Sequence, residues 1–322
     1  MSVLVYTESE NGKFKKNAFE VASYAKAVAE QLGTSAVAIS FNADANNDLG
    51  TYGISKVLNV TSDKLQTFNA EAYAKSIAEA ANKEEANVVI VSSSANSKYL
   101  APILAGKQKA GYAPNVVEAP SNTAPFTVKR TAFSNKGFAH TEITTDNKIV
   151  GVSNNAFGIV ENNADVAVED FSPSLDDTDF AVKSVEVDKV AGKVTIADAE
   201  IVVSGGRGLK GPENWGMIEE LAEVLGAATA CSKPVSDMGW RPHGEHVGQT
   251  GKPVAANLYI AVGISGAIQH LAGVSASKTK VVINNDAEAP FFKAADYGIV
   301  GDAFEVVPQL VEKLKEFKAQ NA

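Results

Sequence analysis

Short apolar runs alternate with amphipathic stretches from the first residues of the chain to about Ala110. Val3 to Tyr6 is a β-branched and aromatic run. Asn17 to Leu32 then carries Phe19, Ala22, Ala25, Val28, Ala29 and Leu32 near one helical face, and Gly33 stands where that helix would stop. Ala36–Phe41 and Lys56–Val60 read as the next strands, with Ala70–Ala81 as an Ala-rich helix between the second of them and Asn87–Val91. The unbroken apolar character of Asn87–Val91 predicts a strand covered on both faces. Asn96–Ala110 reads as a further helix. Strands and helices taking turns with short connections predict a parallel sheet wrapped by helices.

The pattern changes at Phe126. Thr127–Phe133 and Ala139–Thr144 alternate apolar and polar residues, Lys148–Asn154 continues the run, and Asn, Asp and Gly lie between them. These predict antiparallel strands that finish the first sheet. Glu169-Asp-Phe-Ser-Pro-Ser-Leu-Asp-Asp-Thr-Asp179 and Val182–Val187 read as an exposed linker, which puts a domain boundary at Asp188. Two doubly wound, Rossmann-like α/β domains with mainly parallel sheets follow, 1–188 and 189–322.

The second half restarts the pattern. Glu200–Ser204 is a strand followed by a Gly-rich turn, and Pro212–Leu225 is a helix with Pro in its first turn, where a missing N–H costs nothing. Ala227–Cys231, Leu258–Val262, Lys280–Ile283 and Tyr297–Val300 read as strands, and Phe304–Lys318 as a closing amphipathic helix. Several of these strands end in Gly, Ser, Asn or Asp. In open α/β sheets that edge is where ligands bind.

Composition narrows the classes. A chain of 322 residues with 45% hydrophobic and 21% charged residues has room for two globular domains. With 29 Lys+Arg against 38 Asp+Glu the net charge is −9, which argues against a nucleic-acid binder and a polybasic membrane-surface protein. Cys231 is the only cysteine, so there is no internal disulfide framework and no Cys-rich metal site. Four histidines, His140, His243, His246 and His270, leave little for a multi-His centre. The N-terminus lacks a signal-peptide pattern, and no apolar run approaches the ~20 residues of a membrane span. The expectation is a cytoplasmic protein, or one of the mitochondrial matrix if a transit segment has been removed.

Four motifs bear on chemistry. Gly206-Arg-Gly-Leu-Lys-Gly211 matches the dinucleotide fingerprint after a strand, but the next strand ends in Ser232-Lys233 rather than in the acidic residue that would hold a ribose. Three readings stay open: a nicotinamide site, a turn that needs glycines, or a tight loop presenting Arg207 to an anion or an electron-rich ring. Gly263-Ile-Ser-Gly-Ala267 resembles a nucleophile elbow. The only later histidine, His270, follows on the same helix and cannot also face Ser265, so a hydrolase triad fails. Small residues entering a helix can instead expose backbone N–H groups to a phosphate. Gly248-Gln-Thr-Gly-Lys252 lacks the first Gly and the Ser/Thr of a Walker loop, leaving a polar turn with Gln249 and Thr250. A metal role for His270 finds no ligand at the i+4 position, Val274.

The runs Val247–Lys252, Leu258–Gly273 and Ala294–Asp302 resemble the α subunit of electron transfer flavoprotein, with a weaker likeness at Val128–Asn135. The resemblance implies a heterodimer with a β subunit, FAD held mainly by the second domain, AMP in the β subunit, and a one-electron carrier rather than an enzyme. Electrons would come from acyl-CoA dehydrogenases and related flavoenzymes and go to a membrane quinone oxidoreductase. A bifurcating or nitrogen-fixation-linked member would differ in the β subunit. Carried over by motif, Arg207 would lie over the flavin ring, Thr250 near N5 and His270 at the N1/C2=O side. Ser265, Gly266, Ala267, Ile268 and Gln269 would cradle the ribityl and pyrophosphate. Ser232, Val247, Gly248 and Gln249 would line the site, and Asn284, Asp302 and Ala303 would hold the adenosine end. Positive charge and donors from His270 and Arg207 would stabilise the negative charge gathered by the reduced flavin. Lys233 stands where the family commonly has Arg, keeping the charge and losing the planar stacking fork. A nicotinamide oxidoreductase using the Gly206 loop and a non-redox nucleotide-binding scaffold are the competing classes.

Overall fold

The computed structural model describes residues 2–133, 135–187, 195–196 and 199–321. The chain divides into two compact units: Met1–Ala132 with Gly137–Asp188, and Phe133–Lys136 with Lys189–Ala322. The boundary expected at Asp188 lies outside the described residues.

The first unit is built on one large sheet. Its main strands are β1 (Ser2–Tyr6), β2 (Ser35–Phe41), β3 (Lys56–Val60), β4 (Val88–Ser92), β5 (Gly111–Val116), β6 (Phe126–Ala132), β7 (Gly137–Ile143), β8 (Lys148–Val152) and β9 (Ala167–Asp170). They lie in the order β7-β6-β5-β8-β4-β1-β2-β3-β9. Alternation along β1 feeds two cores. Val3 and Val5 pack under α1 (Lys16–Gln31), whereas Leu4 and Tyr6 pack under α2 (Ala70–Lys83) and α3 (Ala95–Gln108). The antiparallel pairing of β6 with β7 is as read from sequence. The expectation for Lys148–Val152 is corrected: β8 runs parallel between β4 and β5. Ile149 to Val152 are all buried, the mark of a strand covered on both faces rather than of a half-solvated antiparallel one.

The exposed-linker reading of 169–179 is also corrected. Ala167–Asp170 pairs parallel with β3, and Phe171, Leu175 and Phe180 pack against the core beneath α2. Asp176 and Asp179 form a capping box, and the buried Asp179 carboxylate accepts from Lys75 Nζ at 2.7 Å. Val182, Val185 and Val187 are exposed.

Between β1 and β4 the strand order reverses direction, the position at which open α/β sheets usually take a ligand. There the buried carboxylate of Glu8 accepts from the hydroxyls of Ser92, Ser94 and Ser97 (3.1 Å for Ser97), with Lys15 Nζ 3.8 Å away.

The second unit is a five-stranded, all-parallel sheet of β10 (Ile201–Gly205), β11 (Ala228–Cys231), β12 (Leu258–Val262), β13 (Thr279–Asn284) and β14 (Tyr297–Val300), in the order β11-β10-β12-β13-β14. One face, with Val202, Tyr259, Ala261 and Val282, packs with Val274 of α6 (Ile268–Val274) and with Phe291. The other, with Val203, Ile260, Val262 and Ile283, packs under α4 (Gly216–Leu225), the short α5 (Lys233–Asp237) and α7 (Ala303–Gln320). The order reverses between β10 and β12, so the predicted site residues converge at the C-terminal ends of these two strands and their neighbours. Among the described residues, no helix is long and apolar enough to cross a membrane.

Candidate functional site

The loops leaving the C-terminal ends of the second sheet are tied to one another by backbone contacts. Gly206 N donates to Val262 O at 2.8 Å and Gly208 N to Gly263 O at 3.0 Å, joining the Arg207 loop to the one after β12. A Cβ on Gly206 would lie 2.1 Å from Gly263 O, and one on Gly208 would lie 2.8 Å from Gly263 Cα. Two of the three glycines of the fingerprint therefore serve contact with the chain's own backbone rather than a pyrophosphate. The loop then passes through 3₁₀ turns at Arg207–Leu209 and Pro212–Asn214 before α4 begins, so no helix starts directly on it. The turn reading of this motif is the one the geometry supports, with Arg207 exposed at its tip.

Ser232 N donates to Gly205 O at 3.1 Å, Val247 N to Cys231 O at 2.9 Å, and Gln249 N to Gln269 O at 2.8 Å. This brings Ser232, Lys233, the Val247–Thr250 turn and the start of α6 to one edge. Gly266, with φ +85°, sits so close to Phe291 that a Cβ would lie 2.5 Å from its backbone N. Ser265, Ala267, Ile268 and Gln269 are exposed beside it, as are Gln249, Thr250 and Lys233. Asn284 is buried; its Nδ2 donates to Ile264 O at 3.1 Å and its Oδ1 accepts from Asp286 N at 3.0 Å. Asp302 caps α7 by accepting from Phe304 N at 3.0 Å, and Lys210 Nζ lies 3.9 Å from its carboxylate. Ala303 and Val247 are buried in the two cores, which leaves only their backbone for a ligand.

His270 departs from its sequence reading. It stands in the first turn of α6 and is 6% exposed. Burial, then the neighbouring His246, pushes its pKa down to about 4, while the Val247 backbone acts in the opposite direction. The expected positive charge is therefore corrected to a neutral ring: a cation at this depth would lose its hydration without a partner charge. Nε2 lies 2.9 Å from the Tyr259 hydroxyl, and Nδ1 is buried without a partner in hydrogen-bond geometry. Ser265 has no part in this arrangement, in keeping with the failure of a hydrolase triad. Burial pushes the Cys231 thiol up to about 12, which removes it from thiolate chemistry at neutral pH. Among the described residues, no group of His, Cys, Asp and Glu could hold a metal ion.

Sequence reasoning missed Tyr259, Phe291 and His246. Tyr259 and Phe291 are fully buried, their rings within 3° of parallel at 6.3 Å, and His270 lies 6.0 Å from Phe291. A tyrosine inside an apolar strand was the available signal, because a buried hydroxyl must find a partner.

Residues 3–176 match the family model for the electron transfer flavoprotein domain, and residues 195–275 match that for the electron transfer flavoprotein FAD-binding domain. The chain is 36% identical to an electron transfer flavoprotein subunit alpha of Bacillus subtilis, over 98% of this chain and 97% of that one. It is 35% identical to the subunit of the same name from Thermoanaerobacterium thermosaccharolyticum, over 98% of each. A Protein FixB of Clostridium saccharobutylicum is 33% identical, over 98% of this chain and 96% of that one.

Proposed function

The chain belongs to the electron transfer flavoprotein α-subunit family, whose members carry electrons rather than convert a substrate, and from that premise we propose that it is the FAD-carrying half of a heterodimer with a β subunit. In this reading it takes electrons from acyl-CoA dehydrogenases and related flavoenzymes and passes them to a membrane quinone oxidoreductase. The complex works in the cytoplasm, AMP belongs to the β subunit, and the first unit serves as the platform for that partner. The observation that carries the reading is His270: a buried neutral imidazole among exposed loop residues at the reversal point of a parallel sheet.

These residues fit a large, anionic, aromatic cofactor. FAD supplies the redox chemistry when bound. Arg207 and Lys233 bring formal positive charge to an otherwise acidic chain. Gln249, Thr250, Ser265 and Gln269 offer exposed polar groups along the same edge, with Gly248 and Gly266 keeping the backbone close, and Asn284 and Asp302 stand at the end assigned to adenosine. The neutral His270 contributes a directed hydrogen bond in a water-poor setting, where a fixed dipole outweighs the same group in water.

The visible absorption spectrum of the chain co-purified with its β subunit tests this: a flavin spectrum is expected, and a colourless complex would sink the reading. The Protein FixB relative favours a second reading, a bifurcating or nitrogen-fixation-linked member of the family. Counting flavins released per heterodimer separates the two, since a second flavin in the β subunit belongs only to the variant.

A further inference from the structure

The turn between Val247 and Lys252 buries no side chain of its own. Gln249 and Thr250 are exposed, and Gly248 and Gly251 have none to bury. Backbone bonds close it: Gly251 N donates to Gly248 O at 3.1 Å, Lys252 N to His246 O at 2.9 Å and Gln249 N to Gln269 O at 2.8 Å. Its inner support comes from His246, which is 2% exposed and lies along the turn. A Cβ on Gly251 would lie 2.9 Å from the root of the ring, Cγ, and one on Gly248 would lie 3.4 Å from its far end, Nε2. Gly248 also meets α6, where a Cβ on Gly273 would lie 2.6 Å from Gly248 Cα. The turn is therefore packed against both the imidazole and the helix. The His243 ring, 5.3 Å away and tilted by 60°, flanks the imidazole. Nδ1 of His246 is buried without a partner in hydrogen-bond geometry, so contact, not a hydrogen bond at that atom, seats the ring. A close-packed buried ring sets the position of the backbone against it, and a void in its place lets that backbone relax.

We propose that His246 is a positioning residue: its ring, reaching from Gly251 to Gly248, fixes the turn that presents Gln249 and Thr250 to the cofactor. The packing of the turn stands on this chain alone; only the meeting of that turn with a flavin rests on the FAD reading.

The test uses the complex with its β subunit as wild type, His246→Asn and His246→Gln. An asparagine side chain ends near the place of Nδ1, whereas a glutamine side chain reaches that of Nε2. Both keep a polar group in the pocket, and only glutamine keeps the contact with Gly248. Amide hydrogen exchange reads the turn without a flavin, at the N–H groups of Gln249, Gly251 and Lys252, with Leu258–Val262 of β12 as the internal reference. His246→Asn is expected to speed exchange in the turn about tenfold and to leave β12 unchanged. It should also bind FAD about tenfold more weakly, the scale of a small buried void, and alter the flavin circular dichroism. His246→Gln is expected to restore wild-type values for all three. Unchanged exchange in the turn of His246→Asn, faster exchange spread equally to β12, equal losses in the two variants, or faster turn exchange with FAD binding and dichroism intact would overturn the proposal. The expected exchange pattern in complexes that are all colourless would support the role of the ring and overturn the FAD reading instead.

Discussion

His270 makes stability acid-sensitive. An ordinary histidine titrates near ~6.5 in an unfolded chain, whereas burial, with His246 beside it, holds this one down to about 4. Between those values the unfolded state binds a proton that the folded state refuses, so stability rises with pH. The contribution is complete above about 6.5 and is lost as pH falls through about 4, a change of roughly 3 kcal/mol. His246, also pushed down by burial, acts in the same direction. Denaturant midpoints of the flavin-free protein at neutral and mildly acidic pH should diverge, and His270→Gln should narrow the gap. Equal gaps in the two proteins would count against a buried neutral ring. The sequence located this residue but misjudged its charge. Its depth is set by Tyr259 and Phe291, which lie on other elements and reach it only through the fold.

At the scale of elements, the site depends on two loops that touch backbone to backbone. Gly206→Ala forces a Cβ to within 2.1 Å of Gly263 O, where neither side can yield as a flexible side chain would. It should cost about 1–3 kcal/mol by overpacking and weaken FAD binding. Gly216→Ala, at the start of α4 with nothing within 4 Å of the new Cβ, should instead stabilise by about 0.4–1 kcal/mol. Thermal midpoints of the two variants, measured side by side, check both signs. The strands bearing these loops were readable because Leu258–Val262 and its neighbours are unbroken apolar runs. Two other elements were not. Gly111 and Pro114 disguise β5 as a turn. The acidic Ala167–Asp170 looks like linker because an edge strand needs pairing on one side only, and its Glu169 is satisfied by Lys56 and Lys83.

For the whole molecule, two units with separate cores predict that ligand effects stay local. Calorimetry of the chain should resolve a transition for the second unit that moves upward with added FAD, by about 2.7 kcal/mol at a hundredfold excess over Kd. The transition of the first unit should stay in place. Joint movement of the whole profile would contradict this division. The doubling of the fold was legible from the restart of strand and helix signals after Glu200. The inequality of the two copies was not, because it rests on what occupies the crevice of each sheet.

That inequality turns on Glu8. In the second sheet the reversal point is lined by glycine backbone and exposed polar side chains. In the first, three serine hydroxyls and Lys15 already converge on a carboxylate supplied by the chain itself. A phosphate arriving there would meet a like charge and donors already spent. The reversal point of the first sheet is thus filled by the chain's own carboxylate and its hydroxyl donors, whereas that of the second is lined by exposed polar side chains.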